Sequence, residues 1–277
     1  MKFIKSKNQD GSEVNLYYED LGTGTPVVLV HGWPLDHQMW DYQTAALTDA
    51  GYRVIAYDRR GFGKSDKPLT GYDYDTLAGD LKALFDQLQL ENAVLVGFSM
   101  ASGEVVKYFS NYGGKGVSKV VLISSIAPYM LQTEDNPDGV PQEVIDDIGA
   151  NIQKERAAFL GEFGKQFYGV GLLSNPVSEQ QLTWDLTVAM QATLKSTLAC
   201  AVSFSSTDLR GDISAINVPA LVIHGDNDQT VPIKATGEQA AQMIAGAEYI
   251  VYEGEPHGLF LTSKDRLNED LINFIGK

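Results

Sequence analysis

The sequence predicts an α/β protein: a doubly wound, mostly parallel sheet with an inserted helical lid. Three observations carry that prediction. Short, wholly apolar runs such as Val27-Val28-Leu29-Val30 recur along the chain, as expected of strands covered on both faces. Segments with helical spacing alternate with them, Leu77, Leu81, Leu84, Phe85 and Leu88 being the clearest, and that alternation is the order of an α/β fold. From Pro128 to about Gly211 the strands cease and only helical spacing remains, most simply a lid over the strand ends. The expected division is a core of residues 1–127 and 212–277 with a helical cap at 128–211.

In chain order, Phe3 to Lys7 and Val14 to Tyr18 read as strands joined through Asp10-Gly11, a hairpin signal. The Val27 strand runs into His31-Gly32-Trp33-Pro34 and a helix from Asp36 to Ala50. Arg53 to Tyr57 is the next strand, and Tyr74 to Leu90 the next helix. Between them, Gly63-Lys64-Ser65 ends like a phosphate-binding loop, but Asp58 stands where that motif needs a glycine, so the loop is read as structural. Ala93 to Val96 is a strand, Met100 to Tyr112 a helix, and Val117 to Ser124 a strand. Within the cap, Trp184 to Ala201 reads as one long helix. The sheet resumes at Pro219 to Ile223, followed by a helix near Ile233 to Ile244, a strand Glu248 to Tyr252 and a closing helix Leu259 to Ile275.

The chain has 277 residues and a formal charge of -15, from 36 acidic and 21 basic residues. That balance argues against nucleic acid and anionic membranes, which need basic patches. Neither a signal-peptide core nor a bilayer-length apolar run is seen, and one cysteine, Cys200, cannot form an intramolecular disulfide. A cytoplasmic setting is therefore expected, with Cys200 a small buried hydrophobe. No Cys-x-x-Cys-His or His-Glu-x-x-His motif occurs, so no haem, metal or other cofactor is called for.

The chemistry centres on Gly97-Phe98-Ser99-Met100, which lies between a predicted strand and a predicted helix. Strand, sharp turn and helix form a nucleophile elbow that lifts the serine hydroxyl clear of the sheet. Gly97 leaves room where a Cβ would collide. A serine needs a base, and four histidines are available: His31, His37, His224 and His257. His37 opens a helix and is expected in solvent, while His31 and His224 are expected to hold loop backbone. His257, in the turn-rich loop after the last strand, is the candidate base. A carboxylate must orient it. Asp228 lies deep enough in His224-Gly225-Asp226-Asn227-Asp228 to reach across, whereas Asp226 suits a backbone contact in the turn. The order Ser99, Asp228, His257 matches one known triad order. The oxyanion donors are expected to be the backbone N–H groups of Met100, at the helix start, and Trp33, since Pro34 cannot donate.

These stretches, with Tyr57-Asp58-Arg59-Arg60-Gly61-Phe62-Gly63 and Pro256-His257-Gly258, resemble the α/β-hydrolase superfamily over nearly the whole chain. Within it, the chain is similar to bacterial esterases also called cofactor-free haloperoxidases or perhydrolases, which have γ-lactamase relatives. The resemblance implies the acid at Asp228, homo-oligomerisation, and a lidded pocket for small acyl groups walled by Trp33, Phe98, Met100, Ile126, Phe163, Phe167, Val231 and Ile233. The branch continues Ser-Met-Gly-Gly-Gly where this chain has Met100-Ala101-Ser102-Gly103. A methyl at Ala101 meets a close helix–strand contact, where overpacking costs roughly 1–3 kcal/mol if not absorbed. Alanine is expected to be accommodated, with Ser102 pointing away or bonding backbone.

The expected function is hydrolysis of small carboxylic esters through an acyl-serine, with hydrogen peroxide as a possible alternative acceptor to water. The alternatives are lactam, amide or carbon–carbon hydrolysis by the same triad, or a catalytically silent binding protein of hydrolase shape. Dehalogenases and epoxide hydrolases of this architecture use an aspartate where Ser99 stands.

Overall fold

Short apolar runs become the centre of an eight-stranded sheet in the computed structural model, which describes residues 1–277. The strands are β1 (Lys2–Lys7), β2 (Glu13–Leu21), β3 (Pro26–Val30), β4 (Arg53–Tyr57), β5 (Ala93–Phe98), β6 (Val117–Ile123), β7 (Ala220–Gly225) and β8 (Glu248–Tyr252). Their order is β1-β2-β4-β3-β5-β6-β7-β8; β1 and β2 pair antiparallel, as do β2 and β4, and every other pair is parallel. Side chains alternate across the strands. Val28, Val30, Ile55, Leu95 and Leu122 therefore enter one apolar core, and Val27, Leu29, Val54, Val96 and Ile223 enter another on the opposite face.

Helices cover both faces. Those of the core are α1 (Asp41–Asp49), α2 (Tyr74–Leu88), α3 (Ala101–Tyr112), α7 (Gly237–Met243), α8 (Leu259–Thr262) and α9 (Lys264–Gly276); α4 (Gln142–Phe167), α5 (Glu179–Ala189) and α6 (Leu194–Ser206) lie between β6 and β7. Local signals set several ends. The Asp73 side chain caps α2 by accepting from Thr76 N, and Gln89 closes that helix in the left-handed region, as capping chemistry anticipates.

Four predicted helices are divided differently. The Asp36–Ala50 segment starts as a 3-10 turn, His37–Trp40, because Asp36 accepts from Gln38 N, and α1 begins only at Asp41. The Trp184–Ala201 segment is two helices, since Thr193 and Ser196 form a reciprocal capping box that starts α6 afresh. Residues 233–236 turn before α7, and Ser263 separates α8 from α9. Within α4, Glu155 is non-helical, so the element is two helices meeting at a kink.

The loop after β4 is anchored by charges inside the protein. Arg59 and Glu104 are wholly buried and paired through Arg59 Nε, while Tyr57 Oη donates to Glu104 Oε2 at 2.6 Å. Arg59 Nη2 donates to His31 O at 2.6 Å, tying this pair to the loop after β3. Arg60 pairs with Asp80 on α2 at 2.6 Å. Removing one member of a buried pair leaves an uncompensated charge and costs about 3–5 kcal/mol. Glu104→Gln is accordingly expected to lower urea stability by about that amount at neutral pH, whereas Lys82→Gln, which breaks an exposed pair with Asp86, should cost under about 1 kcal/mol. Equal midpoints for the two variants would refute the assignment.

Candidate active site

Ser99 sits in the turn between β5 and α3 with φ of 54°, a left-handed conformation that a serine adopts at a cost. Its N–H is held by Ile123 O at 2.8 Å, and its carbonyl accepts from Ser102 N at 3.0 Å, the first turn of α3. Gly97 is required by space: a Cβ there would stand 2.9 Å from Val105 Cγ2 and 3.2 Å from the Ala101 carbonyl. Ala101 is itself fully buried, and the turn forms around its methyl. Ser102 does bond to backbone. Its Oγ donates to Ser99 O at 2.7 Å and accepts from Ile126 N at 3.1 Å and Ala127 N at 3.3 Å. The elbow is thereby clamped to the loop after β6.

His257 stands beside the serine, with Nε2 at 2.9 Å from Ser99 Oγ and Nδ1 at 2.6 Å from Asp228 Oδ2. An ionised Asp228 can only accept, so Nδ1 carries the proton and Nε2 faces the hydroxyl as acceptor. The imidazole is wedged between the rings of Phe98 and Phe167, at 5.0 and 4.9 Å between centroids. Its backbone is fixed as well: Ser124 Oγ donates to His257 O at 3.0 Å, and Gly258 N to Phe167 O at 2.8 Å.

Asp228 follows β7 and its carboxylate is fully enclosed. Burial alone would push its pKa up, but the two imidazoles beside it outweigh burial and hold it well below the usual carboxylate range. Oδ1 accepts from Thr230 N and Val231 N, both at 2.8 Å, and Oδ2 is shared by His257 and His224 Nε2, the latter at 3.2 Å. Asp226 takes the turn role expected of it, its Oδ1 accepting from Gly254 N at 2.6 Å. His224 holds backbone, as expected, through Val231 O at 3.1 Å. Its second contact, to Asp228, was not legible. With Nε2 facing two acceptors, Nδ1 is left without a partner and is packed against Gly237, where a Cβ would lie 2.3 Å from it.

The N–H groups of Trp33 and Met100 donate to no other group of the protein, which leaves both free to bind an oxyanion. The Trp33 indole is engaged separately, donating to Thr197 O at 3.1 Å. His31 Nε2 accepts from Arg59 N at 2.9 Å while Nδ1 faces Gly32 O at 2.9 Å; burial, with Arg59 adding to it, brings its pKa down to about 3 and keeps the ring neutral.

Above Ser99 and His257 opens a cavity of about 440 Å³. Of the side chains expected in its wall, Trp33, Ile126, Phe163 and Val231 are there. Phe98, Met100, Phe167 and Ile233 are not. Phe98 and Phe167 pack behind His257, the Met100 side chain enters the main core, and Ile233 lies in the turn before α7. Much of the rest of the wall comes from α4 and α6, including Ile148, Val144, Leu198 and Val202, with Met130 and Val140 before α4 and Thr230 and Pro232 after β7 completing it. Their distance in sequence from the elbow gave no signal of it.

His37 is a further correction, being buried instead of solvated. It donates to Asp58 Oδ1 through Nδ1 at 2.6 Å, and its pKa is raised because Asp58, Asp36 and Glu19 together overcome the burial that lowers it. Asp36, His37 and Asp58 have the spacing of a metal site. Their atoms are already committed, however: Asp58 also accepts from His37 N and Lys64 N, and Asp36 from Gln38 N.

The chain matches the family described as the alpha/beta hydrolase fold over residues 25–264. It is 43% identical to a putative non-heme chloroperoxidase of Synechocystis, covering 99% of this chain and 100% of that one. It is 38% identical to a bifunctional esterase/perhydrolase of Acinetobacter calcoaceticus, with 99% of each covered. Among solved structures, a bromoperoxidase from Bacillus anthracis superposes with a TM-score of 0.95 at 43% identity over 100% of both chains. An esterase from Exiguobacterium antarcticum gives 0.93 at 35% over 99% of each. On this family match and these end-to-end likenesses, the chain belongs to the α/β-hydrolase family.

Proposed function

We propose that the protein hydrolyses small carboxylic esters through an acyl-Ser99 intermediate. The observation that carries this reading is the unbroken row of hydrogen bonds from Ser99 Oγ through His257 to Asp228 at the floor of the cavity. Ser99 attacks the ester carbonyl as His257 Nε2 takes its proton. The imidazolium that forms is stabilised by Asp228 and then gives the proton to the leaving alcohol. The N–H groups of Trp33 and Met100 hold the tetrahedral oxygen, each such donor being worth about 10²–10³ in rate. Water, activated by the same imidazole, releases the acid and restores Ser99.

Hydrogen peroxide as the acceptor would instead release a peracid, which oxidises halide in solution; relatives named non-heme chloroperoxidase and esterase/perhydrolase favour this second outcome at the same site. Self-association and a cytoplasmic setting belong to the same proposal. Exposed Leu172, Leu173 and Trp184 support the first, and a single buried thiol, Cys200, is consistent with the second. No helix is long and apolar enough to cross a membrane.

Ser99→Ala is expected to lower kcat on p-nitrophenyl butyrate by at least ~10⁴-fold with an unchanged melting curve. A variant keeping a tenth of the activity would refute the nucleophile. His224 is a positioning residue in this scheme, steadying the Asp228 oxygen that His257 uses. His224→Leu should lower kcat about tenfold or more, with KM nearly unchanged. His224→Gln, which restores an N–H donor at the Nε2 position, should recover most of it. Loss of KM alone, or no rescue by glutamine, would contradict the role.

A further inference from the structure

The cavity over Ser99 is larger than an acetyl group needs. At ~30 Å³ for each water-sized group, about 440 Å³ holds about fifteen non-hydrogen atoms. The first segment of α4, before the kink at Glu155, contributes Val144, Ile145 and Ile148 to its wall, and α6 contributes Leu198 and Val202, with Val144 and Val202 partly open to solvent. Gly149 lies among them, and a Cβ on it would meet nothing within 4 Å.

Several polar groups of the wall are engaged by the protein. Ser205 Oγ donates to Ala201 O at 2.7 Å, Gln153 Nε2 to Gly149 O at 3.3 Å, and Gln166 Nε2 to Gln229 O at 2.9 Å. The Thr230 hydroxyl is buried and without a partner. No lysine or arginine lines the space. Arg156, just past the α4 kink, turns to Ala192 O at 2.7 Å, and Lys165 pairs at 2.7 Å with Glu162, the only charged group in the wall. An anionic end would find no unpaired cation in this wall, since the one carboxylate there, Glu162, already holds Lys165.

We propose that this cavity selects uncharged esters carrying an unbranched apolar chain of about six to eight carbons, over both acetyl esters and esters ending in a carboxylate. The proposal rests on the ester-hydrolase reading and names its substrate class. Each methylene buried against this wall should raise kcat/KM up to about fourfold, the equivalent of ~0.8 kcal/mol.

The test is a series of p-nitrophenyl esters from acetate through butyrate and hexanoate to octanoate, with p-nitrophenyl hydrogen adipate as the charged analogue of the hexanoate. The expected result is a kcat/KM that climbs from acetate to hexanoate or octanoate, with the adipate at least tenfold below the hexanoate. Gly149→Trp, which adds a bulky side chain to the wall, should cut the octanoate-to-acetate ratio at least tenfold. A maximum at acetate, or equal turnover of adipate and hexanoate, overturns the proposal. If no ester is turned over, the hydrolase reading fails. The cavity is then judged by calorimetry on Ser99→Ala: ethyl octanoate binding at least tenfold more tightly than ethyl acetate upholds it, and equal binding overturns it.

Discussion

The Asp228 carboxylate is the constraint on which the site depends. A charge removed from water is tolerated only when its lone pairs are filled, and here two backbone N–H groups take Oδ1 while two imidazoles share Oδ2. Those donors come from the loop after β7, from β7 itself and from the loop after β8. Satisfying one carboxylate therefore draws neighbouring strand ends together. It also fixes the proton on His257 Nδ1 and turns Nε2 toward the serine.

The opposite side of the site is fixed by backbone. β3 and β5 lie side by side in parallel, so their following loops emerge at the same edge and bring Trp33 beside the elbow, where sheets of this kind collect ligands. Ser102 adds a brace, linking the Ser99 carbonyl to Ile126 and Ala127 at the point where the chain leaves the sheet for α4. The start of the helical segment and the Ser99 turn are held by one hydroxyl.

Much of this was readable in the sequence because it is local. Apolar runs mark strands buried on both faces, and the small residue at Gly97 marks a turn with no room for a side chain. The loops after β5, β7 and β8 carry Ser99, Asp228 and His257 in order. What could not be read depends on packing between distant segments. Phe98 and Phe163 are the same residue type, yet one supports the imidazole from behind and the other faces the cavity. His37 looked like a helix-opening surface residue, but Asp58 on another loop receives it. The kink at Glu155 and the fresh start at Thr193 shape the cavity wall, and neither interrupts the helical spacing of the apolar residues enough to be seen.

The central claim is that the hydroxyl of Ser99 is made nucleophilic by the imidazole and carboxylate aligned behind it. An alkyl fluorophosphonate reads that property directly, since it phosphonylates only an activated serine and does not require the natural substrate. Intact-protein and peptide mass spectrometry should find one adduct per chain, on Ser99, with labelling slowed at least a hundredfold in His257→Ala. A chain that stays unmodified under conditions that label other serine hydrolases, or an adduct on any other residue, would contradict the account.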